Sequence, residues 1–302
     1  MIGPFVITFA PMPSSNVAPP IEVSKELPLP AYESGKLDNG MDLYMLRGGS
    51  EPVMRMEIVF RAGATYEKKS GVAEFMAGLM SEGTRSMNSA ALAEKIESLG
   101  ATLFTRGGVD TARVRLLTLT RFFPDLIGVV REVINAPAFD PGELKVYADN
   151  KVERLKIDLK KNEVLAYRHL TEAIFGQAHP YGKNVFPEDY LAITIEDLIN
   201  HHARHILPQN GMVLVSGLFG DKEINLIRET IGTWNPNHSN GSEEVILPPP
   251  NGKTGYFEFD GPQVHQAAIR IGRKLFPQGH PDFNGLFVLN TILGGYFGSR
   301  LM

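Results

Sequence analysis

Phe60-Arg-Ala-Gly-Ala-Thr-Tyr-Glu-Lys-Lys-Ser-Gly-Val-Ala-Glu-Phe-Met-Ala-Gly-Leu-Met-Ser-Glu-Gly-Thr84 contains a change of periodicity from strand to helix. Leading into it, apolar residues from Val53 to Phe60 alternate with Arg55 and Glu57, the period of two expected of a half-buried strand. After Arg61-Ala62-Gly63-Ala64, the apolar residues Val72, Phe75, Met76, Leu79 and Met80 recur at helical spacing. The spacing predicts a helix that carries Glu74 to Gly78.

Outward from this run, Asn39-Gly40 lies between two apolar stretches, and both residues tolerate positive φ, so Lys36 to Leu46 reads as a hairpin. Ala90 to Leu99 reads as a short helix closed by Gly100, and Thr111 to Thr120 alternates as a strand. Phe122 to Asn135 and Glu143 to Phe175 read as helices, the second long enough to be broken. Thr194 to His205 is a further helix and Met212 to Ser216 a buried strand. The mixture specifies an α+β fold.

The ends have a different texture. Residues 1–30 hold seven of the 21 prolines and no periodicity, so they read as an extended arm. A first domain over 31–233 is followed by Asn-Pro-Asn-His-Ser-Asn-Gly-Ser and Pro248-Pro-Pro-Asn-Gly, which mark 234–253 as a linker. Beyond it, Gly255 to Asp260 and Val264 to Gly272 read as paired strands and Phe283 to Leu293 as a helix. This repeats the strand-then-helix order of residues 53–80, so 254–302 is expected to begin a second, similar domain whose remainder lies outside this chain; a short domain packed on the first is the alternative.

Of the 302 residues, 43% are hydrophobic and 21% charged, ordinary for a soluble globular protein. Thirty basic and 34 acidic residues are interspersed for a formal net charge of -4, without the basic stripe that nucleic acid requires. The absence of cysteine excludes disulfides, thiolate metal sites and a cysteine nucleophile. No run reaches the roughly 18 apolar residues of a membrane helix. Met1 to Pro11 has no basic residue, and none precedes Lys25, so it does not match a secretory signal. The expectation is a soluble protein of the cytoplasm or periplasm.

The run from Phe60 to Thr84 resembles the signature of the insulinase and mitochondrial-processing-peptidase family, in which a strand ending near a Gly leads to the inverted zinc motif H-x-x-E-H and then a Gly-Thr. Leu37-Asp-Asn-Gly40, His179-Pro-Tyr-Gly182, Glu196-Asp-Leu198, Pro208-Gln-Asn210 and Gly294-Gly-Tyr-Phe-Gly-Ser-Arg-Leu301 resemble further family segments in the right order. In catalytic members two imidazoles one helical turn apart hold zinc, and the Glu between them is the general base. Aligned without gaps, the first His falls on Glu74, the Glu on Ala77 and the second His on Gly78. The third ligand, a Glu on the long downstream helix, falls on Arg154, beside Glu153.

With these substitutions the resemblance implies a member that holds no zinc and is not an enzyme by itself. Exchange of His for an acid and of Glu for a base suggests that Glu74 and Arg154 pair across the old site; the alternative is that both reach solvent. His201 and His205, one turn apart on a predicted helix, are the other metal candidate, although three histidines near a helix end more often serve the surface or the helix dipole. The family also binds unstructured peptides as an added strand along a sheet edge, here near Thr102, Leu103, Phe104 and Thr105, unless this is an ordinary edge strand closed by Gly107-Gly108. The implied role is a non-catalytic subunit that completes the peptide chamber with an active, zinc-bearing homologous subunit or with a second copy of itself. A scaffold without a proteolytic partner, like the respiratory-complex core subunits of this fold, is the rival role.

Overall fold

The computed structural model describes residues 30–236, 247–262 and 266–301. The described residues from Tyr32 onward form one unit. The proline-rich arm expected over 1–30 lies outside the described residues except for its last position, as does half of the linker expected over 234–253, residues 237–246.

Six strands build one sheet: β1 (Glu33–Lys36), β2 (Asp42–Arg47), β3 (Val53–Phe60), β4 (Thr102–Gly107), β5 (Ala112–Leu119) and β6 (Gly211–Gly217), in the order β1-β2-β6-β3-β5-β4. Only the β2–β6 pair is parallel. β4 and β1 are thus the two edges.

The helices are α1 (Val72–Leu79), α2 (Ser89–Glu97), α3 (Phe123–Asn135), α4 (Pro141–Asp158), α5 (Asn162–Phe175), α6 (Pro187–Leu191), α7 (Ile195–His205), α8 (Asp221–Thr230) and α9 (Phe283–Asn290). Local chemistry sets several of their starts. Asn88 accepts from Ala91 N at 2.9 Å, Asp140 from Gly142 N at 2.7 Å, and Thr194 with Asp197 forms a reciprocal capping box.

Strand alternation turns Met54, Met56, Ile58 and Phe60 inward with Leu116 and Val213 of the neighbouring strands, against α1 and α3. Each large apolar side chain buried there contributes about 1.5–3 kcal/mol. The other sheet face is more open, with Leu117 and Leu214 44% and 39% exposed.

The long helical run from Glu143 to Phe175, expected to be whole or broken, is broken after Asp158, where Lys161 takes an extended backbone and its ammonium bonds back to Asp158 at 2.7 Å. The structure departs from the sequence expectations in three places. Helices α6 and α8 were not anticipated; in α8 the signal lay in Ile224 and Ile227 one turn apart behind Asp221 and Glu223.

Trp234, expected to open the linker, is a core residue 1% exposed. Its indole N–H donates to Asn135 Oδ1 at 2.9 Å, and its ring meets Phe60 edge-on at 5.9 Å. The Asn39 amide donates to the carbonyls of Ile231 and Trp234 at 2.8 and 2.9 Å, so the turn after β1 clamps this segment.

The strand pair expected over 255–260 and 264–272 is not formed among the described residues, where the backbone is irregular and Ile269 and Ile271 are 78% and 84% exposed. A half-buried strand needs a partner edge, and here the backbone runs along α5 instead. Asn251 N and Lys253 N donate to the carbonyls of Phe175 and Ala173 at 3.1 and 2.7 Å, satisfying orphan groups at the end of α5. Phe259 stacks on His169 at 3.7 Å. No helix among the described residues is long and apolar enough to cross a membrane.

Trp234→Ala is expected to lower stability by about 3–5 kcal/mol and Asn39→Ala by about 1–2 kcal/mol. Urea unfolding followed by circular dichroism measures both, and a near-neutral Trp234→Ala would contradict its place in the core.

Candidate functional site

Helix α1 starts at Gly71, whose φ of +86° is the left-handed conformation that glycine adopts freely. The Glu67 carboxylate accepts from Gly71 N and Ala73 N, each at 3.0 Å, capping the helix. Burial pushes the Glu67 carboxyl up, against those two hydrogen bonds. Every residue of α1 except Glu74 is buried.

Glu74 is held from both sides. Its Oε1 accepts from the Lys151 ammonium of α4, and its Oε2 from the Tyr190 hydroxyl of α6 at 2.9 Å. Burial opposes the charge on Lys151, but the Glu74 hydrogen bond and charge outweigh it and hold the ammonium above its ordinary value. Burial, then the Glu74 charge, pushes the Tyr190 hydroxyl well up, so it stays a donor.

Tyr147 completes the cluster. A Cβ placed on Gly78 would lie 2.1 Å from the Tyr147 hydroxyl oxygen, so this phenol fills the space that a side chain at Gly78 would need. The ring packs edge-on against Phe75 at 5.0 Å, and Lys151 Nζ lies 5.2 Å from its centre. Ala77, buried at 1% exposure, brings no proton-moving group.

The pairing expected between Glu74 and Arg154 is not the one observed. Lys151, nearly one turn earlier on α4, faces Glu74, while Arg154 is 80% exposed and bonds Asp158 on its own helix at 3.7 Å. Glu153 likewise points away, to Lys156 at 2.7 Å. The reason is packing: the face of α4 that carries Tyr147, Ala148 and Val152 lies on the core, and Lys151 beside them reaches Glu74.

The residues Thr102 to Thr105 lie on the edge strand β4, beside α1. A Cβ on Gly107 would come within 2.4 Å of the Ala73 carbonyl oxygen, and Thr105 Oγ1 lies 2.8 Å from Ser81 Oγ. Leu103 and buried Thr105 turn toward the helices; Thr102 and Phe104 turn to the open face.

Residues 48–186 match the family model described as Insulinase (Peptidase family M16), and residues 192–302 the one described as Peptidase M16 inactive domain. This chain belongs to the insulinase family of peptidases, M16.

Solved structures of M16 proteins share its fold. A peptidase M16 inactive domain from Pseudomonas fluorescens superposes with a TM-score of 0.70 at 20% identity, covering 90% of this chain and 66% of that one. The periplasmic protease PqqL from Escherichia coli gives 0.64 at 18% identity over 72% of this chain and 25% of its own, and pitrilysin 0.62 at 16% over 72% and 24%. This M16 chain therefore spans from about a quarter to two thirds of those chains. No curated protein sequence matches it.

Zinc does not fit the residues that this M16 chain places at the motif. Of the three ligand positions one is a carboxylate already bonded to an ammonium and a phenol, one is glycine, and one points to solvent. Among the described residues no three histidine or carboxylate side chains could hold a metal together.

The rings of His201 and His205 meet at a tilt of 50° with centres 4.6 Å apart, each residue 5% exposed. His201 Nε2 bonds the Ala62 carbonyl at 3.0 Å, and His202 Nε2 the Ile134 carbonyl at 2.9 Å, so both histidines tie α7 to neighbouring backbone. The His205 Nδ1 is buried without a partner among the described residues. Burial lowers all three, His202 and His205 to about 4.

Gly78→Ala is expected to destabilise the chain by about 1–3 kcal/mol through overpacking, and in a Tyr147→Ala background the same change is expected to be nearly neutral. The double-mutant cycle in urea checks this coupling; additive effects would mean that Tyr147 does not occupy the Gly78 space. A pH dependence also follows. Histidines neutral in the folded chain take up protons on unfolding below about pH 6.5, so their contribution is complete above that pH and is lost as pH falls toward about 4. Urea midpoints at successive pH values should fall through this window, and less steeply in His202→Gln, which keeps a donor for Ile134.

Proposed function

We propose that this M16 chain is a non-catalytic member of its family, which holds unstructured peptides along the β4 edge and completes a peptide chamber with a homologous subunit that carries the zinc. The observation that carries this reading is the Glu74–Lys151–Tyr190 cluster, with Tyr147 filling the Gly78 space. An ammonium stands where a divalent cation would stand in an active member, and it neutralises the remaining acid. Ala77 can neither take a proton from water nor return one to a leaving amine. The chain then keeps the scaffold of the site without its chemistry.

The binding role rests on β4. Among the described residues β4 has no strand on its outer side, and an extended peptide can satisfy the backbone N–H and C=O groups there as a further strand. Gly107 brings that edge against α1, so a peptide on β4 would run past Glu74 rather than away from it. The pair Glu74–Lys151 cannot cleave such a peptide, so cleavage belongs to the partner's zinc site.

Two measurements test the proposal on the purified chain. Metal analysis is expected to find no stoichiometric zinc, and a mixed peptide library is expected to be cleaved only when a homologous subunit with intact H-x-x-E-H is added. Bound zinc, or cleavage by the chain alone, would overturn the reading; peptide binding with no cleavage beside any such subunit would favour the scaffold role.

A further inference from the structure

The open face of the sheet around β4 carries four arginines and one glutamate: Arg55 and Glu57 on β3, Arg113 and Arg115 on β5, and Arg106 on β4. Glu57 is 7% exposed and held by three of them. Arg55 Nη2 bonds Oε2, Arg115 Nε reaches the same oxygen at 3.3 Å, and Arg113 Nη1 lies 3.7 Å from Oε1. A carboxylate offers about four acceptor sites and each guanidinium about five donors, so three guanidiniums around one acid leave most of their N–H groups facing outward.

The register then places two cations together. Arg106 stands directly opposite Arg113 across the β4–β5 ladder, and the next residue in that row is Val59, so no acid of the row separates them. Arg106 itself makes no ion pair among the described residues. Like charges directly opposite each other weaken a sheet, and an anion bound between them would relieve that repulsion. Two residues earlier on the same face is Phe104, 43% exposed, with the Arg115 guanidinium 5.7 Å from its ring.

We infer that the β4 edge selects peptides carrying an acidic residue and a large apolar residue two positions apart. A strand added to β4 places every second side chain on the open face, about 5 Å from its opposite residue. One such side chain falls against Arg106, with Arg113 behind it, and the neighbour two residues away falls against Phe104. The acid bridges the two guanidiniums through charge-assisted hydrogen bonds, and the apolar residue covers the phenyl ring. A basic residue at the first position meets two like charges. This inference rests on the peptide-holding role proposed above and names its substrate class.

The test is fluorescence anisotropy of labelled peptides of roughly ten residues, long enough to extend along the edge strand, titrated with the full chain. One peptide has Glu and Leu two apart, one the reverse order, one Lys in place of Glu, and one Glu and Leu adjacent. The acidic peptide, in whichever order matches the strand direction, is expected to bind at least about tenfold more tightly than its Lys counterpart, with the preference shrinking as salt rises. Arg106→Gln, whose side chain makes no ion pair among the described residues, is expected to cut that preference several-fold with no loss of thermal stability, since it removes one of two facing like charges. Equal binding of the acidic and basic peptides overturns the inference and leaves the peptide-holding role standing. A preference untouched by Arg106→Gln overturns the placement on β4, and failure of every peptide to bind removes both the role and the inference.

Discussion

Helix α1 lies in contact with β4 on one side and α4 on the other, and both contacts need the absence of a side chain. Gly107 lets the edge strand close on the Ala73 carbonyl, and Gly78 leaves the room that Tyr147 takes. Most of α1 is buried apolar surface, so its position is set by packing of the order of several kcal/mol rather than by its one ionised residue. Glu74 is accordingly delivered to a fixed point between α4 and α6, and whatever α4 and α6 present there decides the chemistry.

What they present is an ammonium and two phenols. An ion pair this exposed adds little stability by itself, so Lys151 matters more as the charge that neutralises Glu74 than as a strut. The Tyr190 hydroxyl and the Lys151 ammonium satisfy the two oxygens of Glu74, one each. Each carboxylate oxygen thus already holds a hydrogen-bond donor. The open sheet face is the opposite case: a single carboxylate is surrounded by more donors than it can use, and Arg106 and Arg113 face each other. One region is internally satisfied, the other is poised toward an anion.

The histidines of α7 show how residue type and position can mislead. The one-turn spacing of His201 and His205 suits a metal, yet His201, like its neighbour His202, spends an imidazole nitrogen on a backbone carbonyl, of Ala62 and Ile134 respectively. Those carbonyls lie just after β3 and near the end of α3, segments remote in sequence from α7. Only the packing of α7 against them turns the candidate ligand His201 into a clamp.

Local periodicity was enough to find the strand-to-helix run at 53–80, because it depends on the residue types themselves; the edge near Thr102 to Thr105 and the assignment of motif positions to Ala77 and Gly78 came from the resemblance to the family. The α+β class followed from the same periods of two and 3.6. Which residue of α4 meets Glu74 was beyond it: Tyr147, Lys151 and Arg154 recur at helical spacing, and the packing of α4 on α1, not that spacing, brought Lys151 rather than Arg154 to Glu74. Trp234 and the run over 255–272 divided in the same way, since the composition around Trp234 marks a linker while Asn39, Asn135 and Phe60 draw it into the core. The sequence by itself determined element type, which is a property of single residues and their immediate neighbours. The tertiary structure decided who faces whom, because a contact depends on where two separately folded elements end against each other.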